Sequence, residues 1–582
     1  MAIASAFKPR IKTAGDFLQA GRALPAWLCG LAFLGVSLGA PQVLAMGAAG
    51  ARYGLQAALF FGMGAIPAML FSGLFMMPIY YGSKARSVPE FLSLRFDEKT
   101  RVLNACLFAV MTVLSSAISM YVLARLVLAL HLLDQPFYAL GSGEQGILLG
   151  SVVLSALLVL VIVLLGGLTG AIYNQALQFI LLIAGFLPLA VLSLKNIGGW
   201  NGLKAALPPD QMHMWKGVLH AGTNPMGLNM IGIGVGLGLV LGAGYWCTDF
   251  RVLQIAMAAK DASAARYAPL IAAAPAVLLP FLIILPGLAS IALPTPHTST
   301  MVREEGGMIY HDTNVIPKEV EAGRGLVPAK VDAASGRILR DAAGRPLLNY
   351  DLATPNMLVH FLPTGLLGLG IAALMASFVS GMAGNVTAFN TVFTCDLYQP
   401  FLRTGASDAH YLAVARWTTV GGVLLSVGVA VAFLRLHSIM GVLLLAFAVV
   451  NAPLLATLLL GMFWKRATGH GAFAGLIAGA AAGLLYNGLS LPADAGSGFH
   501  GGWIAVLFHN PTDLAQSVWT AIFAFCASLV AVVAISLFTA PRSASELKGL
   551  VFSRPRGASW KQPAVLSAMI LLLALALNIF LY

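Results

Sequence analysis

Thirteen long apolar runs follow one another along this chain, and no other feature limits its fold so tightly. They lie near residues 24–46, 53–81, 104–132, 145–166, 170–194, 229–253, 267–293, 363–395, 411–434, 438–464, 471–491, 516–540 and 563–581. A hydrocarbon core of about 30 Å is crossed by roughly 20 apolar residues in helix, so each run is long enough to span. Lipid offers no partner to a backbone amide or carbonyl, which leaves helices and closed barrels as spanning structures. The runs are too long and continuous for barrel strands. The chain therefore reads as an all-α polytopic membrane protein with about 13 transmembrane helices. Asp, Glu, Lys and Arg make up 10% of its 582 residues, against about 25% in soluble proteins, too few to cover a water-facing surface.

The net charge of +12 sits in short loops between the runs, so it is a topology signal and not a nucleic-acid surface. Alternate loops carry 21 basic residues, among them Lys8, Lys84, Arg251, Lys260, Lys465 and Arg542, while the opposite short loops carry Arg52, Lys195, Lys204, Lys216 and Arg435. This places the N-terminus in the cytoplasm, and an odd number of spans then places Tyr582 outside a cell membrane. The one long hydrophilic segment, 294–359, falls outside, and Ser335-Gly336 and Gly344 predict a small hairpin over Val331–Leu348. The five cysteines show neither CxxC pairing nor Cys/His ligand spacing, which argues against disulfides and structural zinc. No cleavable signal peptide is visible.

Several local strings stand in order. They include Gly15-Asp16-Phe17-Leu18-Gln19-Ala20-Gly21-Arg22, Ser87-Val88-Pro89-Glu90-Phe91-Leu92, Ile172-Tyr173 with Leu177-Gln178, Tyr245-Trp246-Cys247-Thr248-Asp249, Thr394-Cys395-Asp396-Leu397-Tyr398 and Phe463-Trp464-Lys465-Arg466. Together they resemble the sodium/solute symporter family of sodium–glucose cotransporters and proline permease, over about residues 15–480, with the Tyr245–Asp249 string closest to the glucose-transporter-like branch. The resemblance implies a leucine-transporter-like fold with two inverted five-helix repeats, the first helix of each broken near the midplane. Residues 1–23 would then be a cytoplasmic N-terminus, 24–194 the first repeat and 195–228 an external loop. The second repeat would be 229–464 with the external loop 294–359, and 465–582 would hold three peripheral spans. The family's extra leading helix would be missing. Gly35, Gly39 and Pro41 suit a break in span 1, and the glycines at 232, 234, 236, 238, 242 and 244 suit one in span 6. Close helix packing is the alternative reading of such glycines.

The resemblance also implies a site. A sodium ion would take backbone carbonyls of Gly35, Leu38 and Ser377 and a hydroxyl pair at Ser380 and Gly381, of which Gly381 has no hydroxyl. The family's acidic residue in helix 5 becomes Gln175. Solute would meet Gln42, Phe61, Gly242, Ala276 and Leu444, with Tyr245 as inner gate; all but Gln42 and Tyr245 lack the family's polar groups. A sugar buries hydroxyls that each need a partner, so this lining suits a hexose poorly. Sodium coupling is thus carried by the family and not by these residues. No Asp, Glu or His lies mid-span, which weakens proton coupling as well.

Two charged residues carry open readings. Arg125 in span 3 either pairs with a substrate carboxylate, making the cargo a small organic anion, or snorkels outward. Asp249 either joins a cytoplasmic gate with Arg251 or Lys260, or is a solvated helix-end carboxylate. The expected function is secondary active transport: sodium-coupled symport of a small solute by alternating access. The alternative is a cation-independent facilitator or membrane sensor. HExxH, GxSxG after a strand and GxxxxGK[ST] are all missing, which disfavours an enzyme. No cofactor is expected beyond a coupling sodium ion, and the partners are solute, sodium and lipid, without nucleic acid.

Overall fold

A computed structural model describes residues 11–130, 143–294, 301–305, 308–312, 318–331, 336–340, 344–433, 440–493, 500–553 and 561–581. The main helices are α1 (Ala14–Gln19), α2 (Ala26–Ser37), α3 (Ala40–Tyr53), α4 (Phe60–Gly82), α5 (Val88–Arg95), α6 (Glu98–Ala129) and α7 (Gly143–Asn196). After them come α8 (Gly232–Thr248), α9 (Phe250–Met257), α10 (Ala262–Ala276), α11 (Pro280–Ala292) and α12 (Thr364–Phe401). The last are α13 (Asp408–Phe433), α14 (Met440–Phe463), α15 (Gly469–Leu489), α16 (Asp513–Phe538) and α17 (Lys561–Phe580). Many begin on a side-chain cap. Asp97, Asp261, Thr468 and Thr512 each accept the backbone N–H three residues on, which satisfies a donor that would otherwise have no partner.

Among the described residues nine helices are long and apolar enough to cross a membrane, or twelve if each of three bent pairs is one span. One of the nine, α7, has 54 residues, and at 1.5 Å per residue it would reach about 80 Å, far beyond one bilayer. It divides at Gly167 (φ 52, ψ −150), the left-handed conformation that glycine tolerates. A Cβ there would meet the Phe17 carbonyl oxygen at 2.8 Å, so α1 packs into the corner. Counting both arms gives the thirteen spans read from the sequence.

The bent pairs are α2/α3 (62°), α8/α9 (48°) and α10/α11 (43°). The first break falls where Gly39 and Pro41 predict it. The second does not fall within the glycine run. Gly232–Ala243 winds as π-helix, and the chain bends only at Asp249 (ψ 113), which caps α9. The glycines serve close approach instead: a Cβ on Gly242 would lie 2.7 Å from the Gly64 Cα of α4. The second arm of α7 packs on α12, and α6 and α13 flank them.

The segment 294–359 is partly described. Strands β1 (Met301–Glu305) and β2 (Met308–Asp312) pair antiparallel. Bridges Val331↔Ile338, Arg340↔Pro346 and Ala329↔Leu348 form a small antiparallel ladder where a hairpin is predicted.

The helix ends that carry the basic loops are tied together. The Lys260 amide donates to the Leu24 carbonyl at 2.9 Å, and the Tyr81 hydroxyl donates to the Ala259 carbonyl at 3.0 Å. In the loop after α4, Arg86 binds Glu90 at 2.7 Å and its Nη1 donates to Gln399 Oε1 at 2.7 Å. Burial alone would raise the Glu90 carboxyl, but hydrogen bonds and charge from Arg86 outweigh it and hold it below its ordinary value. A depressed carboxylate gives stability that is present above the ordinary Glu range and lost as pH falls through the folded-state value. Glu90→Gln should therefore flatten the acid limb of a thermal-stability profile and leave its alkaline limb unchanged.

Candidate functional site

The α2/α3 break exposes backbone polar groups inside the bundle. Leu38 (φ −102, ψ 41) and Gly39 (φ −56, ψ 154) leave helical geometry, and Pro41 opens α3. Proline has no N–H to donate and its ring is set for a first helical turn. Facing the break, Ser377 Oγ donates to the Ala373 carbonyl at 2.8 Å and accepts Gln178 Nε2 at 2.9 Å. The same Nε2 donates to the Leu38 carbonyl at 2.9 Å. Ser380 Oγ is buried without a hydrogen-bond partner among the described residues, as are Gln178 Oε1 and both amide atoms of Gln175. Gly381 abuts Gly39: a Cβ on it would sit 3.5 Å from the Gly39 Cα. The structure thus brings Leu38, Ser377, Ser380 and Gly381 to one place, with Gly35 a turn away giving its carbonyl to the Leu38 amide at 3.1 Å.

The residues matched to solute contact are mostly apolar and packed. Phe61 and Ala276 are buried, and Leu444 is half-buried on α14. Gly242 packs against Gly64, so the space that a side chain there would take is filled by α4. Gln42 is half-buried in the first turn of α3, its Oε1 directly over Gly39.

Below Tyr245 lies a charged cluster. Asp249 is fully buried and Arg251 is 5% exposed. Arg251 Nε donates to Asp249 Oδ1 at 2.9 Å, and its Nη1 donates to Asn385 Oδ1 at 2.9 Å and Ser115 Oγ at 3.1 Å. The guanidinium carbon is 5.6 Å from the Tyr245 ring centroid and 5.3 Å from that of Phe447. Trp246, next to Tyr245, stacks on Phe33 of α2 at 5.8 Å. One cluster therefore joins α2, α6, α8, α9, α12 and α14. Asp249 pairs with Arg251, not with solvent.

A sequence model of the sodium:solute symporter family matches residues 17–479. The chain belongs to that family. The sodium/glucose cotransporter of Vibrio parahaemolyticus is 27% identical over 80% of this chain and 78% of its own length. The sodium/myo-inositol cotransporter 2 of Sus scrofa is 25% identical over 83% of this chain, which spans 66% of that longer protein. Among solved structures, a Na+-coupled sialic acid symporter in a substrate-bound outward-open state superposes with a TM-score of 0.67 at 19% identity, covering 93% of this chain and 95% of that one. The fold is leucine-transporter-like and the protein is a multi-pass membrane transporter.

The structure does not bring every residue singled out in the sequence to the break. Arg125 is exposed on α6, where its Nε donates to the Tyr121 hydroxyl at 3.1 Å and its guanidinium rides that ring at 5.5 Å. It lies back along its own helix on Tyr121 and does not reach the α2/α3 break. Sequence reading offered Arg251 as one of two partners for Asp249 but also counted it as a loop charge and missed its burial, and it quoted Gln178 only as part of a string. For Arg251 a signal existed: Phe250, Val252 and Leu253 surround it with apolar side chains, and an acid stands two residues before it.

Proposed function

We propose that this chain is a sodium-coupled symporter that moves a small solute with few hydrogen-bonding groups by alternating access. The observation that carries this is the broken α2/α3 helix, whose Leu38 carbonyl is joined to Ser377 Oγ of α12 through Gln178 Nε2, with the Ser380 hydroxyl one turn on buried and unpartnered among the described residues. Sodium is a hard cation that needs several oxygens, and the break and α12 bring carbonyl and hydroxyl oxygens together. The solute reading is supported by Phe61, Ala276 and Leu444, which leave Gln42 and Tyr245 as the polar side chains of the matched set. A hexose or polyol, cargo of the named relatives, would bury hydroxyls there without partners. The 21 basic residues in alternate loops support a cytoplasmic N-terminus and an external C-terminus. The tied end is then the cytoplasmic one, closed by the Tyr245–Arg251–Asp249 cluster acting as inner gate.

The test is flux into proteoliposomes under an inward sodium gradient, across a panel of small neutral solutes. At least one should accumulate against its gradient, and excess glucose or myo-inositol should not compete with it. Uptake indifferent to sodium would sink symport and leave a facilitator, and competition by hexose would sink the solute class.

A further inference from the structure

We propose that Gln178 is a cation ligand of this chain, its amide oxygen taking the place of the hydroxyl that Gly381 lacks, and that the same amide turned over locks the site when no cation is held. The inference rests on the sodium-symport reading above. Gln178 Nε2 bridges the Leu38 carbonyl and Ser377 Oγ, both at 2.9 Å. One amide nitrogen thus joins the broken α2/α3 pair to α12, as a cation between those oxygens would. Its other end is wasted in this arrangement: among the described residues Gln178 Oε1 is buried with no partner, and so is Ser380 Oγ nearby on α12.

A buried amide oxygen left unpaired is costly, and such atoms in a native protein point to a missing partner. The terminal torsion of glutamine is close to two-fold, so a half-turn exchanges nitrogen and oxygen with little change in shape. With the nitrogen inward, the amide satisfies Leu38 and Ser377 itself. With the oxygen inward, the Gln178, Leu38 and Ser377 oxygens converge, and two carbonyl-type oxygens facing each other repel unless a cation lies between them. The two faces therefore answer to the presence of the ion, and the break in α2/α3 is held to α12 in both. Gln175, whose amide is also buried and unpartnered, lies one turn away on α7. It brings no negative charge, so the oxygens alone must carry the affinity.

The probe is sodium chloride alone, titrated against choline chloride at constant ionic strength, with thermal unfolding of the purified full-length protein as readout. Sodium should raise the midpoint saturably, as any ligand of the folded state does. Gln178→Leu should raise the half-saturating sodium concentration by about tenfold or more, the size of one lost bond to a charged partner. Gln178→Glu, which keeps two oxygens and cannot present a nitrogen, should lower it by about tenfold on the same scale. A purely structural amide would lose its donor in both variants and weaken the fold alike, with unchanged sodium dependence. If Gln178→Leu folds poorly, Gln178→Leu with Gly381→Ser should recover the sodium response, since a Cβ at 381 meets only ordinary contact. Equal half-saturation in wild type and both single variants overturns the Gln178 proposal and leaves symport standing. A midpoint blind to sodium in wild type, Gln178→Glu and Gly381→Ser alike overturns the symport reading and this proposal with it.

Discussion

Asp249→Ala should destabilise the protein by about 3–5 kcal/mol, because it leaves the Arg251 charge buried without its counter-ion. The carboxylate accepts from Arg251 Nε and Nη2 and from the Arg251 backbone amide, which it caps at the start of α9. No water replaces these contacts in a cluster where Asp249 is fully buried. Arg251 would keep Asn385 and Ser115, but both are neutral. The double change Asp249→Ala with Arg251→Met should recover most of the loss, since exchanging a buried ion pair for apolar side chains is often near neutral. Chemical unfolding of the detergent-solubilised protein measures both. A double variant as unstable as the single would sink the pair-energy account. The double variant also tests the gate. Without Arg251, Tyr245 loses its link to Ser115 of α6 and Asn385 of α12, which still bond each other, so solute exchange should quicken with little change in apparent affinity.

How much of this was legible in the sequence depends on what kind of signal a residue carries. Spans were legible because about 20 apolar residues in a row have one physical use. The α2/α3 break was legible because Gly39 and Pro41 disfavour helix directly. The α8/α9 bend was misplaced because glycine reads the same whether it breaks a helix or lets one approach another. Gly242 against Gly64 is the second case, and only the partner's position tells them apart. Arg251 was legible as a possible partner of Asp249, but its burial was not, since a tally of loop charges cannot see burial. Gln178 was invisible as chemistry: an amide in an apolar helix acquires a role only from the Leu38 carbonyl and Ser377 hydroxyl that folding brings to it.

Arg95 shows the same limit at larger energetic scale, and its removal is the second large effect expected. It is fully buried at the end of α5 and sits 4.8 Å over the Phe96 ring. Its Nε donates to the Gly461 carbonyl at 2.6 Å, Nη1 to Ala467 at 3.0 Å and Nη2 to Trp464 at 3.0 Å. These are last-turn and post-helix carbonyls of α14, which lack intrahelical donors and carry the negative end of the helix dipole. Burial, with the charge of Arg542, pushes the guanidinium down to about 10, so it stays charged at neutral pH. Arg95→Met fills much of the volume but leaves the Gly461 and Ala467 carbonyls unpaired, at about 1–3 kcal/mol each before relaxation, while Trp464 keeps the Ala467 amide. The net loss should be about 3–5 kcal/mol, as for other broken buried networks. Arg95→Lys should recover less than half, because one ammonium cannot reproduce a planar fork spread over three acceptors. α14 also carries Phe447, which covers Arg251, so a loosened α14 terminus should weaken the gate cluster as well. Thermal unfolding of both variants, compared with the solute-exchange rate of Arg95→Lys, separates these effects. An Arg95→Met protein that melts with wild type would mean that water reaches those carbonyls and that the guanidinium contributes nothing to holding α5 against α14.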